Sequence, residues 1–69
     1  MKISFDQKAD AMRITFQEGE YEISKEIAEG IIVDMNKNDD ILAIEILDAS
    51  ERMPKKNLRN ITFAFPQEN

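Results

Sequence analysis

Apolar side chains recur at every second position in segment after segment of this chain, and no stretch offers a long amphipathic helix. A period of two belongs to a strand with one buried face, so the chain is constrained to a sheet before anything else is known of it. Ile3 and Phe5 alternate with Lys2, Ser4 and Asp6, and Met12, Ile14 and Phe16 alternate with Arg13 and Thr15. The polar interval 6–10 between them makes the pair a hairpin. Tyr21 and Ile23 resume the alternation after Gln17-Glu18-Gly19-Glu20, where Gly19 is expected to supply the positive φ of a tight turn.

Residues 24–29 fit either an irregular continuation of that strand or one helical turn capped by Ser24, and the strand is the favoured reading. Gly30 then introduces the β-branched run Ile31-Ile32-Val33-Asp34-Met35. After the polar residues 36–40 comes Ile41–Leu47, the most apolar run in the chain, completing a second hairpin. A strand apolar on both faces belongs in the middle of a sheet or beneath a partner, which makes this run the candidate centre of the core. Residues 48–53 can form one helical turn capped by Asp48 or Ser50 and stopped by Pro54. Ile61, Phe63 and Phe65 alternate as a final strand ended by Pro66, and residues 67–69 read as a frayed tail. The expected fold is therefore mainly β. It is an antiparallel β-meander of about five or six strands with at most a short helical turn near residues 48–53, in a single domain over residues 1–66.

Sixty-nine residues leave room for one core, and a thin one. Domains of this size commonly add disulfides, a structural metal or oligomerisation. The chain has no Cys and no His, which removes disulfides and a structural zinc site and leaves self-association. A homodimer is the expectation. The central run is apolar on both faces and no long helix is available to cover it, so the second face of the sheet should meet a copy of itself or another protein. Ile41, Ala43, Leu47, Phe63 and Phe65 are the interface candidates.

Apolar residues at 42% and charged residues at 33% suit a folded globule. Fourteen acidic against nine basic residues give a net charge of −5, which argues against nucleic-acid and anionic-membrane partners and leaves a basic protein partner open. The first residues lack the apolar core of a signal peptide, and no stretch approaches the ~20 residues that cross a bilayer; a cytoplasmic location is expected.

The most tempting chemical motif runs from Asp34 to Glu45. Oxygen donors at its positions 1, 3 and 5 (Asp34, Asn36, Asn38) and Glu45 at position 12 reproduce the spacing of an EF-hand calcium loop. Position 6, where such loops need Gly for a sharp turn, is Asp39, and strand formers flank the motif in place of helices. A polar hairpin turn is the favoured reading. Asp6 with Asp10, and Glu45 with Asp48, are the carboxylate pairs available for acid-base work, yet the usual proton shuttle and thiol nucleophile are missing without His and Cys. No catalytic residue, metal ligand or cofactor is therefore assigned, and the chain is expected not to be an enzyme. The competing class is a carboxylate-based, metal-dependent hydrolase drawing on Asp6, Asp10, Asp34, Glu45 and Asp48. Lys55, Lys56 and Arg59 form one basic interval, too few cations for a phosphate footprint, and a solvated loop is the better reading.

Two stretches carry a family likeness: FDQKADAMRITF at residues 5–16 and IIVDMNKNDDILAIEILDAS at residues 31–50. With Phe5-Asp6, Ala9-Asp10-Ala11, Val33-Asp34 and the closing block Glu45-Ile46-Leu47-Asp48-Ala49-Ser50, the chain resembles the uncharacterised prokaryotic family known as domain of unknown function 2283. Where that family usually has Gly near its hairpin tip this chain has Asp39 or Asp40, which implies a longer or bulged turn. An aromatic residue often stands there in place of Arg13. Members are often encoded beside small toxin-like partners, so the resemblance implies an antitoxin-like, protein-binding role. It implies no catalytic residue. The leading functional expectation is a non-enzymatic protein-interaction module, the acidic member of a two-protein regulatory pair, with a purely structural homo-oligomer as a further alternative.

Overall fold

The computed structural model describes residues 1–64 of the chain, and in it the alternating segments become five strands. They are β1 (Lys2–Asp6), β2 (Ala11–Thr15), β3 (Ile23–Ala28), β4 (Ile31–Met35) and β5 (Ile41–Leu47), followed by two single helical turns, α1 (Ala49–Arg52) and α2 (Lys55–Leu58). The strands form one antiparallel sheet in the order β1-β2-β5-β4-β3. A mainly β, antiparallel sheet with short helical turns is thus the architecture. Its strand order adds one departure from chain order: β5 returns between β2 and β4, so the run apolar on both faces occupies the middle of the sheet.

That insertion obliges the connection between β2 and β3 to pass around the end of β5. Phe16 N–H donates to Leu42 O at 2.8 Å, Gln17 Nε2 to Ile41 O at 2.9 Å, and Glu22 N–H to Met35 O at 3.0 Å. Gly19 lies on Leu42 so closely that a Cβ there would stand 2.8 Å from Leu42 Cδ2. With no side chain at Gly19, the loop closes on Leu42 without displacing its terminal methyl group. The positive φ expected at Gly19 is instead at Gly30, φ 75°, in the two-residue turn between β3 and β4.

Cross-strand register sorts the side chains by face, because alternate residues point to opposite sides. One row reads Ile3, Ile14, Ile44, Val33, Lys25 across the five strands, and the next reads Phe5, Met12, Ile46, Ile31. This is the apolar face. On the other side lie Ser4, Arg13, Glu45, Ile32, Glu26 and, one step along, Lys2, Thr15, Ala43, Asp34, Ser24. This is the polar face.

The hairpin of β4 and β5 has a register shift beside Asp34 and Met35, so its turn is bulged as the Gly-less tip implied. Asn36 Oδ1 accepts from the N–H groups of Asn38 and Asp40, and Asp39 takes the left-handed conformation, φ 65°, that Gly would otherwise provide. Residues 24–28 are strand, settling the ambiguity there in favour of β3.

The final strand does not form in residues 61–64. They are irregular and exposed, and Phe65 and the tail 67–69 lie outside the described residues. Alternation specifies a face to bury but names no ladder partner, and this segment reaches neither sheet edge. The basic interval 55–59, read as a loop, begins with the one-turn helix α2.

Candidate functional site

Three features could do work: a corner joining the first turn to α1, a cleft on the polar face, and the apolar face itself.

At the corner, Asp48 adopts φ 53° and swings the chain out of β5 into α1, and in that conformation its side chain makes no capping bond. Neither of the local caps expected from the sequence, Asp48 or Ser50, serves. The acceptor is Asp10, forty residues away: its Oδ1 accepts from Ser50 N–H at 3.0 Å, its Oδ2 from Ser50 Oγ at 2.7 Å, and its backbone oxygen from Ala49 N–H at 2.9 Å. A carboxylate supplied from another segment thus fills the N-cap role. Asp10 itself sits at φ 52°, where Asp and Asn are tolerated better than most side chains. Beside this corner a cavity of about 460 Å³ is lined by Phe5, Leu58, Lys55 and Arg59 among others.

The polar-face cleft, about 640 Å³, is centred on Arg13 and roofed at one side by the residues 17–21 of the crossing loop. Arg13 Nη2 donates to Asp34 Oδ2 at 2.8 Å, and Ser24 Oγ donates to Asp34 Oδ1. The Ser24 hydroxyl, aided by the Arg13 guanidinium, holds the Asp34 carboxyl below its usual range against the opposing effect of burial. Glu45 stands directly opposite Arg13 in the ladder. Tyr21 and Gln17 complete the polar wall, with Leu42 and Ala43 as floor. Arg13 is the hub that ties β2 to β4 across β5.

The carboxylates singled out in the sequence are dispersed. Asp6 Oδ1 accepts from the N–H groups of Lys8 and Ala9 and shapes the first turn; Asp10 caps α1; Asp34 pairs with Arg13. Asn36, the third position of the calcium-like motif, bonds within its own turn and to Asp40. Among the described residues no three acidic side chains converge as a metal site would require. None of the described helices is long and apolar enough to cross a membrane.

The interface candidates are scattered too. Ile41 is 45% and Phe63 55% exposed, Leu47 is half-buried, and Ala43 has no exposed surface. Phe65 is outside the described residues. Ile41, Ala43 and Leu47 are odd-numbered positions of β5, whereas its register partners place the apolar rows on the side of Ile44 and Ile46. Val33 is aligned with Ile44 once the β4–β5 hairpin is drawn, whereas Ile14 joins them only through the non-local pairing of β2 with β5.

The family model described as "Protein of unknown function (DUF2283)" matches residues 2–50, which is the whole sheet together with the corner that ends at Ser50. The chain belongs to the DUF2283 family. The Asp10 to Ser50 corner gives the closing Leu-Asp-Ala-Ser block of this DUF2283 member a structural reason. A curated Methanosarcina mazei protein named "Putative hypoxanthine phosphoribosyltransferase" is 39% identical over 64 residues, covering 90% of this chain. The chain spans about half, 51%, of that relative's length. No solved structure matches the chain.

Proposed function

We propose that this DUF2283 chain is a non-enzymatic protein-interaction module whose working surface is the apolar face of its sheet. One observation carries the reading: the substantial contacts between described elements run from strand to neighbouring strand, and neither helical turn packs broadly across a face. Stable domains set a second layer against the apolar side of a sheet. Among the described residues the buried core consists of Ala11, Met12, Val33, Leu42, Ala43 and Ala49, and no large side chain is wholly enclosed. A partner would supply the missing layer.

The polar side suits a second, electrostatic role. With a net charge of −5, the chain would steer a basic partner toward it, as expected of the acidic member of a two-protein pair. The activity in the name of the Methanosarcina relative does not transfer in this reading. Phosphoribosyl transfer calls for a cradle of backbone N–H groups around phosphate, usually Gly-rich, and both glycines of this chain are already committed, Gly19 to Leu42 and Gly30 to its turn.

Co-expression with the product of the adjacent gene, followed by size exclusion, tests the module. A stable complex is the expected result; no complex with that protein and no self-association would sink the reading. The rival hydrolase makes a different forecast, namely amide shifts at Asp6, Asp10, Asp34, Glu45 and Asp48 on titration with magnesium or manganese.

A further inference from the structure

We infer that the occupant of the apolar face is a second copy of this chain, stacked face to face about a two-fold axis near Ile14 and Ile44. This rests on the interaction-module reading and commits it to one partner. The first argument is area. The chain exposes 5783 Å², whereas a compact monomer of 8.0 kDa is expected to expose about 4,450 Å². The surplus of about 1,300 Å² belongs to the whole surface, and on the apolar face Ile3, Ile14, Ile31, Ile44 and Ile46 contribute to it as half-buried side chains, against the about 800 Å² that each member of a standard dimer buries. Its radius of gyration, 13.5 Å against about 11 Å for a compact chain of this length, shows that the surplus comes with a flattened shape.

The second argument is charge. Both apolar rows cross the sheet without a carboxylate, so the acidic residues that give the chain its −5 charge would not be pressed together by stacking. The single cation in those rows, Lys25, sits on the edge strand β3 and would remain at the rim. A strongly basic partner would find no counter-charge on this face. A second copy offers the same uncharged surface, and an isologous contact is self-complementary by construction. Two sheets of identical twist would pack in the aligned manner, about 10 Å apart. Both Arg13 clefts would then face outward.

Sedimentation of the purified full chain at about 100 μM and about 1 μM, with methyl NMR of its isoleucines over the same dilution, tests this. The expected result is a dimer at the higher concentration, with dilution shifts at Ile14, Ile44 and Ile46 and not at Ile32 on the opposite face. Ile44→Lys should raise the dimer dissociation constant by about a hundredfold or more, since it would place two unpaired cations near the axis. Should that variant fail to fold, the methyl map of the unaltered chain decides alone. A monomer at 100 μM overturns the inference, as does a dimer whose shifts fall on the polar face or a folded Ile44→Lys that still dimerises. Contacts from Ile61 or Phe63 onto Ile14 in a monomer would assign the face to the chain's own C-terminal segment. A monomer that pairs through Ile44 only with the co-expressed neighbour would overturn the homodimer and leave the interaction module standing.

Discussion

On the polar face of the sheet, Arg13, Asp34 and Ser24 close on one another and the crossing loop lays Gly19 over Leu42, so the surface is completed from within the chain. On the apolar face, Ile14 and Ile44 stay half-buried beside the buried Val33, and neither described helical turn packs broadly over their row. The same five strands therefore carry one face finished locally and one over which no described helical turn packs broadly. Substitution should separate them. Leu42→Ala, removing a side chain that is 5% exposed beneath the loop, should destabilise the fold by about 2–4 kcal/mol at any protein concentration. Ile44→Ala, beyond the register shift that skips Leu42 and leaves it lining the Arg13 cleft, should cost less in the monomer and show its effect mainly as lost concentration dependence of the thermal midpoint. Urea and thermal unfolding at two concentrations would check both. Equal, concentration-independent losses would erase the distinction between the faces.

The corner at Asp10 extends the comparison, since it too is finished from within. Asp10→Ala removes the acceptor for both Ser50 bonds and places Ala at φ 52°, so a loss of about 2 kcal/mol in urea unfolding is expected. Asp10→Asn keeps one acceptor and the tolerance for that backbone conformation, and should lose about half as much. Dimer affinity should be unchanged in both variants, because the corner lies off the apolar rows.

How much of this could be read from the sequence depended on the range of the forces involved. Alternation located β1, β2 and the start of β3, and β-branched or apolar runs located β4 and β5, because each is a local pattern; the rest of β3, exposed along its whole length, was open between strand and helical turn. Apolarity on both faces also put Ile41–Leu47 at the centre, where the sheet has it. The polar hairpin tip was legible from Asn36 and Asp39, whose side chains act within a few residues of themselves. The long-range choices were hidden. Nothing near Ser50 announces that its cap will be Asp10, and nothing near Arg13 announces Asp34, because each pairing exists only after β5 has been set between β2 and β4. The same insertion fixes which side of β5 is apolar in company. Ile61 and Phe63 failed as a strand for a related reason: their period is correct, but pairing with a sheet edge is a tertiary event.

Acid sharpens the contrast further. The Asp34 carboxyl titrates below its ordinary value of 3.8, so its contribution is fully present above that value and is lost as pH falls through the lower, folded value. Asp34→Asn should cost about 1 kcal/mol at pH 7, a modest figure because the Arg13 side chain is 43% exposed and solvent screens the pair. The gap between the variant and the unaltered chain should then narrow as pH falls below about 4, followed by urea unfolding across the acid range. The apolar face holds no carboxylate in its rows, so the dimer contact itself should pass through that range with little change.

The smallest expected effect lies at the hairpin tip, outside both faces. Asp39 holds φ 65° in the turn of Asn36 and Asp40, a conformation that strains most side chains and that Gly adopts freely. Asp39→Gly should relieve that strain, offset in part by the greater freedom of Gly in the unfolded chain, for a net gain of a few tenths of a kcal/mol, about 0.5 at most. Because the turn touches neither the Arg13 cleft nor the row through Ile44, a gain in urea stability with unchanged dimer affinity is expected. A shift in dimer affinity instead would mean that the bulge beside Asp34 transmits the register of the tip into the apolar face, and the two faces would no longer count as independent.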